Sequence, residues 1–220
     1  MKLKLVKKIK ETKDVNTYIF KPDSDFKWIA GQYLIYSLAH ENQDNRGKMR
    51  FFTISSSPFQ KYPSITTKID KTNGSSFKKA LDLLKIGDEI DIKGPDGDFV
   101  IDNFKKSYVF IAGGIGITPF RSILGQLNHK NLDLDIILLY SAKNSSAIFK
   151  KELESLKLKK LKIKYFDKRI NKTDIEKIKD FKKRIFYVSG PDAMVENIEK
   201  MLLKIGLKKE NIKSDYFSGY

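Results

Sequence analysis

The chain contains no cysteine. Disulfides, thiolate-bound zinc, iron–sulfur clusters and thiol nucleophiles are thereby excluded together, so any redox chemistry must come from a bound organic cofactor. Histidine is almost as scarce. His40 and His129 are far apart, with no carboxylates spaced around them for a metal, so both read as surface residues and no metal site is expected. Arginine is also rare: of 43 cationic residues only five are arginine, and the lysines run the whole length of the chain. Readers of nucleic acid rely on clustered arginine and stacking aromatics, so the net charge of +16 does not mark a nucleic-acid-binding protein. The excess reads first as a compositional bias towards lysine and second as a field that would attract an acidic protein partner. Long apolar runs are missing as well. The longest, 108–120, is too short to span a bilayer, and residues 1–10 alternate lysine with apolar side chains, unlike a signal peptide; a cytoplasmic protein with no membrane span is expected.

What is present is enough to build a core. The 220 residues, 40% apolar and 12% aromatic, suit one large domain or two of ordinary size. Up to about residue 102 the apolar positions alternate with period two, as in Leu3 and Leu5, Val15, Thr17 and Ile19, and Tyr33 and Ile35, with turn residues between them. Short strands at this density predict a small antiparallel barrel or sandwich, interrupted by one helix over 75–84 and by an exposed polar loop over 40–48. Gly94-Pro95-Asp96-Gly97 reads as a tight turn. From about 103 the pattern changes. Strands at 107–112, 135–141, 161–166, 184–189 and 212–217 alternate with helices beginning near Thr118, Ser146, Thr173 and Pro191, which predicts a parallel sheet with helices on both faces. The expected domains are therefore 1–102 and 103–220.

The second half is organised around 108–124, where a doubly buried strand runs into Gly113, Gly114 and Gly116 and then into a helical pattern. Thr118 suits an N-cap and Pro119 the first helical position. Glycines and a helix N-terminus together favour close approach of a phosphate, although Pro119 stands where the third glycine of Gly-x-Gly-x-x-Gly would be, and glycines that merely close a strand–helix turn explain the same letters. In the first half Arg50-Phe51-Phe52-Thr53 stands out. An arginine in so lysine-rich a chain implies a need for a planar, bidentate donor, and the strand period puts Arg50 and Phe52 on one face and Thr53 on the other.

Arg50-x-Phe52-Thr53, Thr67-Lys68, Gly74-Ser75-Ser76, Gly94-Pro95-x-Gly97, Gly113-Gly114-x-Gly116-x-Thr118-Pro119, Tyr140-Ser141 and Ser189-Gly190-Pro191 follow one another in a set order. In that order the chain resembles the ferredoxin–NADP reductase family over essentially its whole length. The resemblance implies an FAD-binding, six-stranded antiparallel Greek-key β-barrel followed by an NAD(P)-binding α/β domain with a five-stranded parallel sheet. It implies that Arg50, Gly74, Ser75 and Ser76 meet the FAD diphosphate, with Thr67 and Lys68 also at the cofactor. Phe51 and Phe52 would lie at the isoalloxazine, Phe52 packing on it, and Thr53 near the flavin nitrogen that takes hydride. Gly113, Gly114, Gly116, Thr118 and Pro119 would hold the NAD(P) diphosphate, while Ser189, Gly190 and Pro191 face the nicotinamide. Many relatives have cysteine where Ser189 stands. Phe217, in Asp215-x-Phe217, and Tyr220 would cover the flavin.

At the end of the second strand of the latter half, Ser141-Ala142-Lys143-Asn144 offers no carboxylate to reject a 2′-phosphate, which leans towards NADP over NAD. The implied activity is hydride transfer from NAD(P)H to FAD, catalysed with Thr53 and Ser189 from opposite sides of an interdomain cleft, then release of electrons to ferredoxin, flavodoxin, a haem protein or a small molecule. The alternatives are a free-flavin or ferric reductase, the reductase component of a multi-protein system and, remotely, a basic nucleic-acid-binding protein. The reading requires open space beside Arg50 and beside Gly114.

Overall fold

A computed structural model describes residues 1–143 and 147–217. It divides into two compact units, Met1–Val100 with Arg121–Gln126, and Ile101–Phe120 with the chain from Leu127 onward.

The first unit is built from β1 (Lys2–Lys10), β2 (Val15–Pro22), β3 (Tyr33–Ser37), β4 (Met49–Thr53), β5 (Ser64–Lys68) and β6 (Glu89–Asp96), with α1 (Ser76–Leu83) between the last two. The strands form one antiparallel sheet in the order β4-β3-β6-β1-β2-β5, a Greek-key arrangement. The amide of Ser55, just past β4, donates to the carbonyl of Ser64 in β5 at 2.9 Å, so the two edges of the sheet meet. Period two decides what goes inside: Leu3, Leu5, Leu34, Tyr36, Ile90 and Ile92 are buried, and Phe77 and Leu81 of α1 close over them. Each such fully buried apolar side chain is worth roughly 1.5–3 kcal/mol. Gly94-Pro95-Asp96 is not a turn, as expected from its residues, but the end of β6. Tyr33 and Ile35 of β3 pair with Asp96 and Lys93, and the resulting irregularity absorbs the extra residue.

The second unit contains β7 (Tyr108–Gly113), β8 (Ile136–Ser141), β9 (Leu161–Phe166), β10 (Ile185–Gly190) and β11 (Ile212–Tyr216), all parallel, in the order β11-β10-β7-β8-β9. Their connections carry α2 (Thr118–His129), α3 (Lys150–Glu154), α4 (Lys172–Glu176) and α5 (Asp192–Lys204). Every residue of β7 is buried, because helices cover both of its faces. Val109 and Ile111 meet Ile175 of α4 and Val195 and Ile198 of α5, whereas Phe110 stacks on Phe120 of α2 with ring centroids 4.7 Å apart. The expected helix start at Ser146 lies outside the described residues.

The helix after the glycines starts earlier than its residues imply. Gly114–Ile117 already form a 3-10 turn that runs straight into α2, so Thr118 is helical and, instead of capping the start of α2, closes the 3-10 turn by donating its N–H to the Ile115 carbonyl. Its hydroxyl turns back to the carbonyl of Ile115 at 3.1 Å. In a continuous helix that carbonyl would accept from residue 119, and proline has no N–H to give. Thr118 therefore serves the Ile115 carbonyl with both its N–H and its hydroxyl, where Pro119 has no donor to offer.

Candidate functional site

In the first unit the predicted residues gather where β4 meets the start of α1. Arg50 is held rigidly: Nη1 donates to the carbonyls of Arg46, Gly47 and Met49 at 2.9, 2.8 and 2.6 Å, and the guanidinium lies 5.6 Å from the Phe77 ring centroid. Nη2 donates to the Ser75 hydroxyl at 3.3 Å and to Asp44 Oδ1 at 2.6 Å. Nε is buried with no partner. The open space expected beside Arg50 is therefore not there, because Asp44, an anion of the chain itself, fills it. Asp44 Oδ2 accepts the Ser76 amide at 3.1 Å, so this carboxylate, 32 residues away in sequence, caps α1, while Ser75 sits at the N-cap without using its side chain for that purpose.

Ser76 completes the knot. Its hydroxyl accepts the Asp44 amide at 2.9 Å and pairs with His40 Nε2 at 3.0 Å. His40, expected at the surface, is partly buried against Phe77, whereas His129 is exposed. The 40–48 loop is exposed over most of its length but anchored at His40 and Asp44. Partial burial works against ionisation of Asp44. It is outweighed by the Arg50 hydrogen bond and the Arg46 and Ser76 amides, which hold the carboxyl well below the usual carboxylate range. Lys78, one turn into α1 and only 9% exposed, shows the reverse: burial, then the charges of Arg46, Arg50 and Lys68, push its ammonium down to about 7. A buried lysine pressed by three further cations marks a site built to receive negative charge.

The other predicted residues of this unit sit as follows. Phe52 is half-buried, its ring 5.8 Å from those of Tyr36 and Phe77. Phe51 points the other way, 65% exposed, against Tyr33. Thr53 is buried and pairs with Tyr33, on the face opposite Arg50 and Phe52. Thr67 is buried within β5, and Lys68 reaches Asp14 at 3.0 Å. Gly74 is required by its own turn, since a Cβ there would lie 2.1 Å from the carbonyl oxygen of Asp70.

In the second unit the parallel register brings Gly113, Ser141, Ser189 and Asp215 to the same carboxyl edge of the sheet. The chain leaves β7 for β8 on one side and later returns to β10 on the other. The order reverses between β7 and β10, the crevice where open α/β sheets bind ligands. Three glycines there have three different reasons. A Cβ on Gly113 would strike Met194 Sδ at 2.1 Å, and one on Gly116 the Ser189 carbonyl oxygen at 2.2 Å, so both are demanded by packing. Gly114 has φ +53° and nothing within 4 Å of a Cβ, so its turn faces open space. The Tyr140 hydroxyl braces that turn through the Gly114 carbonyl at 3.2 Å.

Ser189 is fully buried, its hydroxyl 3.4 Å from Asp215 Oδ2. Pro191 is the N-cap of α5, and the Phe217 amide donates to the Gly190 carbonyl at 3.0 Å. Ser141 donates to the Lys168 carbonyl at 2.8 Å and Lys143 is exposed. Asn144 and Tyr220 lie outside the described residues. Sequence reasoning missed Asp44, His40 and Lys78. Only Lys78 left a signal, being three residues from Leu81 on the buried stripe of α1.

Residues 2–101 match the oxidoreductase FAD-binding domain and residues 110–200 the oxidoreductase NAD-binding domain. The chain belongs to the ferredoxin–NADP reductase-like family of FAD- and NAD(P)-binding oxidoreductases. Flavohemoprotein A of Dictyostelium discoideum is 29% identical over 96% of this chain and 58% of its own length. The glycine betaine monooxygenase reductase subunit of Pseudomonas aeruginosa is 35% identical over 70% of this chain and 42% of its own. Ferredoxin–NADP+ reductase from Plasmodium falciparum shares the fold, with TM-score 0.83 at 23% identity over 98% of this chain and 95% of that one. The chain spans about 58–60% of the length of the curated flavohemoproteins it matches. Among the described residues no helix is long and apolar enough to cross a membrane.

Proposed function

We propose that this protein takes hydride from NAD(P)H onto FAD and passes electrons to a separate acceptor. The flavin, when bound, supplies two-electron acceptance and onward electron release, which no side chain of a cysteine-free chain provides. The observation that supports this reading best is the gathering of anion donors at the start of α1, where the Arg50 guanidinium, the Ser75 hydroxyl and the Ser76 amide come together and Lys78 is buried on the same helix. These residues hold the FAD diphosphate, on a turn set by Gly74 and flanked by Thr67 and Lys68. Phe52 packs on the flavin ring with Phe51 at its rim, and Thr53 offers its hydroxyl at the reacting edge. In the second unit the turn of Gly113, Gly114, Gly116, Thr118 and Pro119 holds the NAD(P) diphosphate. Ser141 and Lys143 meet the adenosine end, with NADP favoured over NAD because no acidic side chain stands there. Ser189, Gly190 and Pro191 orient the nicotinamide, and Phe217 shields the ring.

The acceptor is a protein, with an acidic ferredoxin or flavodoxin, a haem protein or an oxygenase component as its class. Two observations favour it: the high positive charge of the chain, and relatives that include a flavohemoprotein and a monooxygenase reductase subunit. A second reading, free-flavin or ferric reductase with flavin as a loosely held substrate, is favoured by one feature only, the carboxylate already lodged on Arg50. The test is the visible spectrum of the purified protein before and after anaerobic addition of NADPH or NADH. Yellow protein bleached by one nucleotide, with colour surviving dialysis, supports the main reading. Colour lost on dialysis supports the second, and protein that never takes up flavin refutes both.

A further inference from the structure

We infer that Asp44 is an internal anion that competes with FAD for the diphosphate cradle and must leave it for FAD to bind. The inference rests on the FAD reading above. Asp44 engages the donors that reading assigns to the cofactor: Arg50 Nη2 at 2.6 Å and the Ser76 amide at 3.1 Å, next to the Ser75 hydroxyl. One carboxylate is a poor match for what surrounds it. Arg46 and Arg50 both pair with it, Lys78 is buried within reach of their charges, and Arg50 Nε has no acceptor among the described residues. A diphosphate carries more charge and more acceptor oxygens than a carboxylate, so it satisfies this set better.

The carrier of Asp44 is also suited to release it. The 40–48 loop is mostly exposed, and Asn42 and Gly47 turn it with φ +51° and +65°. The bonds that hold its closed form centre on Asp44: Gly47 N–H to the Asp44 carbonyl at 2.9 Å, Arg46 N–H to Oδ1 at 3.0 Å, Arg46 Nη2 to Oδ2 at 3.4 Å, Arg50 Nη2 to Oδ1 and the pair joining Asp44 and Ser76, with Arg50 Nη1 also on the Arg46 and Gly47 carbonyls. Asp44, when seated, thus keeps Arg50 and the start of α1 in place, and it lowers apparent FAD affinity by the fraction of time it is seated.

Two measurements on the full chain test this. Hydrogen exchange over residues 40–48 is expected to quicken at least severalfold when FAD is added, because the bonds through Asp44 break; equal or slower exchange in the bound form overturns the inference. Asp44→Asn is expected to bind FAD at least tenfold more tightly than the unaltered chain, with a lower Tm for the cofactor-free form. Unchanged or weaker FAD binding by Asp44→Asn means that Asp44 braces Arg50 in the bound state and also overturns it. Should the variant not fold, exchange on the unaltered chain decides. Absence of FAD binding by the unaltered chain is a different failure, that of the parent reading.

Discussion

Arg50 Nη2 reaches the Ser75 hydroxyl at 3.3 Å, tying strand β4 to the N-cap of α1, 25 residues on. Nη1 is used up on three backbone carbonyls, so the guanidinium is fixed before any ligand arrives. Pre-organisation of this kind needs the planar fork, and lysine cannot supply it. Arg50→Ala is expected to weaken FAD binding at least tenfold, and Arg50→Lys to recover only a minor part of the loss. Each also gives up hydrogen bonds to a charged donor worth about 1.5–3 kcal/mol apiece, so Tm falls in parallel. Flavin titration with thermal melting checks both, and full flavin content in purified Arg50→Ala would remove Arg50 from the site.

Lys78 predicts a pH dependence of FAD binding. In the folded protein its ammonium keeps its proton only below about 7, whereas in the unfolded chain it does so up to the ordinary lysine range of about 10.4. Between these values the unfolded chain binds more protons. The penalty for burying the charge is therefore complete below 7, and stability rises as pH climbs through the window. A diphosphate beside Lys78 favours the charged form, so binding takes up a proton and FAD affinity falls as pH rises from 7 to 9, by at most about tenfold per pH unit. Lys78→Met is expected to bind FAD more weakly at pH 7 and with a flatter pH profile. Calorimetry in two buffers of different ionisation heat reads the proton uptake directly.

How much of this was written in the letters differs between the two halves. The parallel sheet was plain because its central strands are apolar runs ending in a turn residue, as at 108–113, whereas β9 and β11 at its edges carry lysine and other polar residues and are set by their spacing. The start of α2 was misread because cap rules judge Thr118 and Pro119 locally, while the helix begins in a 3-10 turn that the glycines permit and Thr118 repairs. Arg50, Ser75 and Ser76 could be named from motif order, but Asp44 could not. Its role comes from a loop folding back across 32 residues, and nothing in a polar stretch between two strands encodes that closure. Lys78 was hidden by its type, since lysine is the default surface residue of this chain and only its place on the stripe of Phe77 and Leu81 sets it apart.

Gly114 and Gly116 make a discriminating pair. Alanine at Gly114 puts a Cβ into empty space at φ +53°, a left-handed strain of roughly 1–2 kcal/mol, and narrows the turn that a phosphate would approach. Gly114→Ala is expected to stay folded, keep its flavin and show an NADPH KM raised about tenfold. Alanine at Gly116 meets the Ser189 carbonyl at 2.2 Å, a clash with backbone that cannot step aside. Gly116→Ala is expected to lose several degrees of Tm and to misfold in the second unit. Equal KM values for Gly114→Ala and the unaltered protein would move the dinucleotide away from this turn.

Ser189 tests the chemistry at the other end of that dinucleotide. Its hydroxyl is buried at the carboxyl end of β10 and lies 3.4 Å from Asp215 Oδ2, a weak tie that leaves it able to turn towards a bound nicotinamide. If the hydroxyl only joins β10 to β11, Ser189→Ala costs about 1 kcal/mol of stability and leaves the rate of flavin reduction unchanged. If it positions the nicotinamide, as proposed, the same variant retains full flavin and a near-native Tm, while reduction by NADPH in an anaerobic stopped-flow slows by about tenfold to a hundredfold, the scale of a mispositioned reactant. Asp215→Asn separates the two effects further, because it loosens the strand tie but leaves the Ser189 hydroxyl in place. Its reduction rate is expected to stay within about threefold of the unaltered protein, and a loss matching that of Ser189→Ala would assign the pair to structure alone.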